Sequence, residues 1–372
     1  MKERFFRKWR SSLLFFIPSI ILLPTSLLAD PLLSSWFTEA STKYARIYTT
    51  VANRTAGIST TTWSNQSLPT YAGVHEINYS SNWVYIKNTG LAPYVMGPWN
   101  NPNLPKNQGT STSVYRFPRI PVVISNVNTT NGRTLTAMGA IGFLVDGVAI
   151  YNTSDGFAYS YANSKDASPT ANIGSGDGIW NRDAMPNESI SFDNTLNHPQ
   201  PSGQYHAHVN PIGIRYLLGD NINYDPTNKT YSENLSTTNW KHSPLIGWMN
   251  DGLPLYGPYG YSNPTNPTST VRRMVSGYVL RNGSNGTANL QTAGRTTLPL
   301  WAQQAQGRTS LNSNQYGPTV STTYELGHYA EDYDYLGDLG YTQGVHFDLN
   351  KYNARYCVCL LYTSPSPRDQ RG

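Results

Sequence analysis

The chain has 372 residues, of which 38% are hydrophobic and only 13% charged, with 27 Tyr, 9 Trp, 31 Gly, 25 Pro and 2 Cys. Its formal charge of +5 sits at the two ends: five basic residues against Glu3 within residues 1–29 supply four of it, and Arg368, Asp369 and Arg371 the other one. The body between is neutral, which excludes the basic stripe of a nucleic-acid-binding protein, and two cysteines exclude a disulfide framework.

Residues 1–29 read as a secretory signal peptide. Lys2, Arg4, Arg7, Lys8 and Arg10 form a basic n-region, an apolar run broken by Pro18 and Pro24 follows, and Ala29 is the expected cleavage residue. The run is too short and broken for a membrane span. The mature protein is therefore expected to be secreted, extracellular or at the cell surface, with no stable membrane span after cleavage. In that context ten N-x-S/T sequons gain meaning as sites for N-linked glycans: Asn53, Asn65, Asn78, Asn128, Asn152, Asn187, Asn228, Asn234, Asn282 and Asn285.

From residue 30 to 357, Gly and Pro interrupt the chain every few residues and helical periodicity is scarce. This predicts a single all-β domain, compact and sandwich-like, built of many short strands. Expected strands include residues 44–51, 84–87, 121–124 and 212–217, and one short helix is expected over 299–305 with Pro299 at its first position. Residues 141–151 (IGFLVDGVAIY) and 246–256 (IGWMNDGLPLY) share the frame I-G-x-x-x-D-G-x-x-x-Y at an offset of 105 residues. Each places an Asp-Gly pair, Asp146-Gly147 or Asp251-Gly252, between strand-like runs. Two pseudo-equivalent hairpins with type I′ turns are expected, related by a pseudo-twofold axis.

Residues 204–210 (QYHAHVN) hold the densest histidine spacing. His206 and His208 are two apart, so a strand presents both imidazoles on one face, where they can grip a metal ion. Further on, residues 331–338 (EDYDYLGD) are expected to form a solvated edge with tyrosines packed inward; the stretch lacks the glycine and terminal Glu of an EF-hand loop. No G-x-S-x-G is present, and the glycine-rich residues 174–178 lack the lysine of a phosphate loop. The final residues, 358–372, are expected to be a non-native tail, because CLLYTSPSPRDQRG resembles translated sequencing-adapter read-through.

Several blocks, in order, resemble the YHYH-domain protein family: Gly97-Pro98-Trp99 to Asn107-Gln108, residues 141–152, Asn197-His198-Pro199-Gln200 leading into Tyr205-His206-Ala207-His208, His242-Ser243-Pro244 on to Gly257, and residues 331–340. Ala207 replaces the second tyrosine of the signature, while both histidines remain. The resemblance implies a domain type and a secreted context, and no reaction.

Two functions are carried forward. The leading expectation is a structural or self-assembling extracellular glycoprotein, forming a homo-oligomer or filament, as neutrality, sequons and abundant aromatics suggest, and the second is its alternative. The other is a metal-dependent enzyme or metal-binding protein with a divalent ion (Zn, Cu or Mn) on His206, His208 and, as the chosen third ligand, His242. Asp251, Glu331, Asp332, His198 and His328 are the further candidates for supporting or binding roles; whether the protein is an enzyme is left open.

Overall fold

The computed structural model describes residues 30–38, 42–60, 62–63, 66–100, 103–106, 108, 114–121, 136–236, 239–358 and 360–363. The signal segment, residues 364–372, and the sequons Asn65 and Asn128 lie outside the described residues. The fold is all-β and sandwich-like, with 30% of residues in strands against 16% in short helices. Among the described residues no helix is long and apolar enough to cross a membrane.

The largest sheet has eight strands: β1 (Ala140–Leu144), β2 (Ala149–Tyr151), β3 (Asn197–Pro199), β4 (Tyr205–Ala207), β5 (Leu245–Met249), β6 (Pro254–Tyr256), β7 (Ala354–Cys357) and β8 (Leu360–Thr363). They run in the order β3-β4-β2-β1-β5-β6-β8-β7. The hairpins predicted from the repeat are β1–β2 and β5–β6, and they meet at the centre, where β1 pairs antiparallel with β5 through Leu144↔Gly247, Phe143↔Trp248 and Gly142↔Met249. Residues 105 apart exchange places across this register, so a local twofold axis passes through the Phe143–Trp248 pair.

The symmetry extends outward. β4 lies parallel to β2, and β8 parallel to β6, each with an antiparallel partner beyond it. The loops entering β3 and β7 even share their hydrogen bonds. Asp193 N donates to Asn197 O (2.9 Å) as Asn350 N does to Ala354 O (2.8 Å), and Leu196 and Asn353 both take positive φ, 66° and 56°. The large sheet is thus two copies of one four-stranded unit, although the strand β8 of the second copy falls within residues 358–372, expected from the sequence to be a non-native tail.

Side-chain alternation divides the core between the two faces of this sheet. Leu144, Val148 and Tyr205 join a cluster with Tyr94, Val95 and Met96 on one side. Phe143, Ala149 and Trp248 meet Val84, Ile86 and Phe117 of a second sheet on the other.

Several expectations are corrected. The Asp-Gly turns are not type I′: Gly147 and Gly252 have φ of 83° and 84°, but neither aspartate has positive φ. Each Asp instead accepts the N–H two residues on (3.1 Å), leaving only glycine left-handed in a three-residue loop. Residues 212–217 form a helix, Ile212–Leu217, because Arg215 is drawn inward to Asp220, Glu233 and Asn210. The strand expected over 44–51 shrinks to Arg46–Ile47, and Val51 opens a helix capped by Thr50. The helix expected at 299–305 is Leu300–Gln306, with Pro299 preceding it as cap. Residues 84–87 lie in the strand Trp83–Asn88, whereas the strand expected at 121–124 falls outside the described residues beyond Pro121. The acidic stretch is not a solvated edge either: Glu331 and Asp332 have no exposure, since buried donors meet them.

Candidate metal centre

The histidine pair sits on a hairpin. β3 and β4 flank a turn over residues 200–204, closed by Gly203 N to Gln200 O (2.7 Å), and their register places His198 directly opposite His206. His208 follows two residues later on the same face. The three imidazoles therefore converge. The Nε2 atoms of His198 and His206 are 3.0 Å apart, those of His206 and His208 also 3.0 Å, and all three lie within 4.8 Å of one another. Their exposures are 6%, 2% and 7%.

The second nitrogen of each ring decides what faces inward. His206 Nδ1–H donates to the Gln204 carbonyl (3.0 Å) and His208 Nδ1–H to the Asn152 carbonyl (2.5 Å). A carbonyl can only accept, so both protons are on Nδ1. The Ser191 hydroxyl donates to the Glu188 carbonyl (2.7 Å), so it receives rather than gives the bond with His198 Nδ1 (2.7 Å). All three Nε2 atoms thus point unprotonated lone pairs at one place. Burial holds His198 down at about 4 and His206 well below the ordinary histidine value, with Glu188 opposing at His198 and the neighbouring rings adding at His206. At neutral pH these two rings carry no charge that would relieve the contact.

A carboxylate joins them. Glu188 ends the short helix Ala184–Glu188, and its Oε2 stands 3.1 Å from His208 Nε2 and 3.7 Å from His198 Nε2. That oxygen is buried and has no hydrogen-bond partner. Two donors bonded at about 2 Å to one ion stand 3.0–3.7 Å apart when they subtend roughly 95–130° at it, which these four pairs satisfy; His198 and His208, within 4.8 Å of each other, must stand less than about 4 Å apart when both bind it. Three nitrogens and one carboxylate oxygen suit a divalent first-row ion, whereas thiolate-seeking or all-oxygen ions lack their ligands here.

The surroundings hold this hairpin in place. Tyr151 stacks on His206 (centroids 4.0 Å, 25°), with its hydroxyl bonded to Gln204 and Gln200. On the opposite face of β4 the Tyr205 hydroxyl donates to Asp193 (2.7 Å), which also accepts from Gly97 N and from Thr195. Trp99 Nε1 donates to Asn197 O (3.2 Å). Ala207, where the signature expects tyrosine, is buried beside Tyr205 on that opposite face, so the change leaves the imidazole face untouched.

The predicted site residues divide accordingly. His206 and His208 stand in the cluster, and the third imidazole is His198 rather than His242. His242 donates to Ser243 O (2.8 Å), packs on Tyr261 and Tyr256, and is outside the group. Asp251 closes the second Asp-Gly turn. Glu331 accepts from Asn181 N and Nδ2, and Asp332 is a bidentate partner of Arg295 (2.7 Å to both nitrogens). His328 pairs with Asp166 (2.6 Å), while its carbonyl accepts from Asn187 on the helix that carries Glu188. In the second half of the sheet Arg355 occupies the place of His198, and among the described residues no second histidine cluster occurs. Sequence reasoning missed Glu188 and Ser191, which have no telling spacing to the histidines. The opposition of His198 and His206 was legible from the Pro-Ser-Gly turn between them.

Fold and cluster together define an all-β domain carrying a buried histidine–carboxylate centre. The chain matches the YHYH protein family model over residues 114–368, and it belongs to that family. The match starts after the Gly97-Pro98-Trp99 block, which nonetheless braces the histidine hairpin. No curated protein and no solved structure matches the chain.

Proposed function

We propose that this is a metal-binding protein whose centre is His198, His206 and His208, closed by Glu188, with zinc, copper or manganese as the ion. One observation carries the reading: three buried Nε2 lone pairs aim at one point, with every competing proton committed to Nδ1. Such an arrangement is repulsive unless a cation sits within it, and a divalent ion relieves it while giving Glu188 Oε2 its missing partner. The ion would supply Lewis acidity; the protein supplies fixed, buried imidazoles. Metal analysis of the tag-free chain, reconstituted and desalted, is expected to give about one ion per chain. Less than a tenth of that with copper, the ion such donors bind most tightly, would refute the proposal.

The secreted, glycosylated setting belongs to the same proposal, whereas the self-assembling reading rests on composition alone. The sequons differ in what a glycan would disturb. Asn78, Asn282 and Asn285 are exposed. Asn152 Nδ2 instead donates to Thr136 O (2.9 Å), and Asn187 Nδ2 to Asp183 O (2.8 Å). Expressed through a glycosylating secretory pathway, the protein is expected to carry glycans at the first three and none at Asn152 or Asn187. Peptide mapping after enzymatic deglycosylation checks this; an occupied Asn187 would contradict it.

A further inference from the structure

The four donors of the centre are not held alike. Each imidazole is anchored through its other nitrogen, to Ser191, Gln204 O or Asn152 O, and the rings of His198, His206 and His208 are almost wholly buried. Glu188 has no such anchor. Its side chain is 26% exposed, its buried Oε2 accepts no hydrogen bond, and no described group orients the carboxylate apart from the rings themselves. It also sits where the chain turns out to solvent, followed by Ser189 and by Ile190, which is 74% exposed.

Resting on the metal reading above, we infer that Glu188 is the exchangeable ligand, and that the position it vacates takes a small anion from solvent. The exchange breaks one ion–carboxylate bond and forms one bond from the ion to the incoming donor; no electron or proton changes hands. An anion is favoured because three neutral imidazoles leave the ion's charge uncompensated once the carboxylate swings away. A small one is favoured because Phe192 packs close to the rings, edge-on to His198 (4.8 Å) and parallel to His208 (6.3 Å). The class of ligand is a compact oxygen or nitrogen donor, such as a short carboxylate or a hydroxide-sized anion.

The test uses the full chain loaded with Cu(II), the divalent ion that such sites bind most tightly, and azide as the probe. Wild type is expected to show an azide-to-copper charge-transfer band that saturates on titration. Glu188→Ala and the near-isosteric Glu188→Gln are expected to retain copper and bind azide at least about tenfold more tightly, since no carboxylate competes. Equal azide affinity in wild type and both variants would show that Glu188 is not the displaced group. Copper bound with no azide band in any of the three would show that no position opens. A chain that takes up no copper overturns the metal proposal itself, and metal content alone tells that failure from the other two.

Discussion

Alanine at position 206 is expected to strip the protein of its metal. His206 is the central ligand, 3.0 Å from each of the other two Nε2 atoms and the most buried of the three. Losing a supporting group around a metal already costs about 10–100-fold in affinity, so losing the central ligand should cost more than about 100-fold. The loss is readable twice. Metal content should fall below about a tenth of an ion per chain, and the thermal stabilisation produced by metal should vanish. At a free metal concentration about 100 times Kd, wild type gains about 2.7 kcal/mol. In a chain of this size that corresponds to a rise of about 4 °C in Tm. His206→Ala should melt at the same temperature with metal or with chelator. His242→Ala is the control: it should keep its metal, since His242 lies outside the cluster. Retention of metal by His206→Ala, or its loss from His242→Ala, would reverse the assignment.

Asp193→Ala is expected to be the most destabilising change near the centre. This carboxylate has no contact with the imidazole cluster but gathers the chain that bears it. It is 5% exposed and accepts from Gly97 N (2.8 Å), Thr195 N (2.8 Å), Thr195 Oγ1 (2.6 Å) and Tyr205 OH (2.7 Å). Removing it leaves several donors buried without partners, each costing about 1–3 kcal/mol where no water can enter. With partial relaxation the total is about 3–5 kcal/mol, or roughly 4–7 °C in Tm. The loop it ties leads straight into His198, so metal affinity should fall with stability. The duplication provides an internal comparison. Asn350 occupies the equivalent loop and among the described residues its side chain accepts from Tyr352 N and Ala354 N, so Asn350→Ala should cost about 1 kcal/mol and spare the metal. Equal melting of the two variants would mean that the Asp193 bonds contribute nothing special.

The two halves of the sheet show how far local patterns reach. The I-G-x-x-x-D-G-x-x-x-Y frame announces two hairpins because strand alternation and the need for a left-handed glycine are written residue by residue. The same frame does not reveal that β3–β4 and β7–β8 also correspond, since their loops share hydrogen bonds and backbone angles rather than residue types: Asp193 answers to Asn350, Leu196 to Asn353. Residues 212–217 carry strand-like apolar spacing, yet form a helix because Arg215, itself buried, pairs with the buried Asp220 and the partly exposed Glu233, a tertiary gain that outweighs local preference. The choice of His242 as third ligand failed for a related reason. Its motif neighbours are conspicuous, but distance in space follows strand register, and register puts His198 beside His206.

Length, turn chemistry and period-two patterning thus determined by themselves the all-β class, the paired Asp-Gly hairpins and the shared face of His206 and His208, because each depends on residues a few positions apart. The tertiary structure alone decided that Glu188 meets the imidazoles and that every Nδ1 proton is spoken for. Those facts depend on which carbonyls and which helix end arrive from elsewhere in the chain, and no local spacing encodes that arrival.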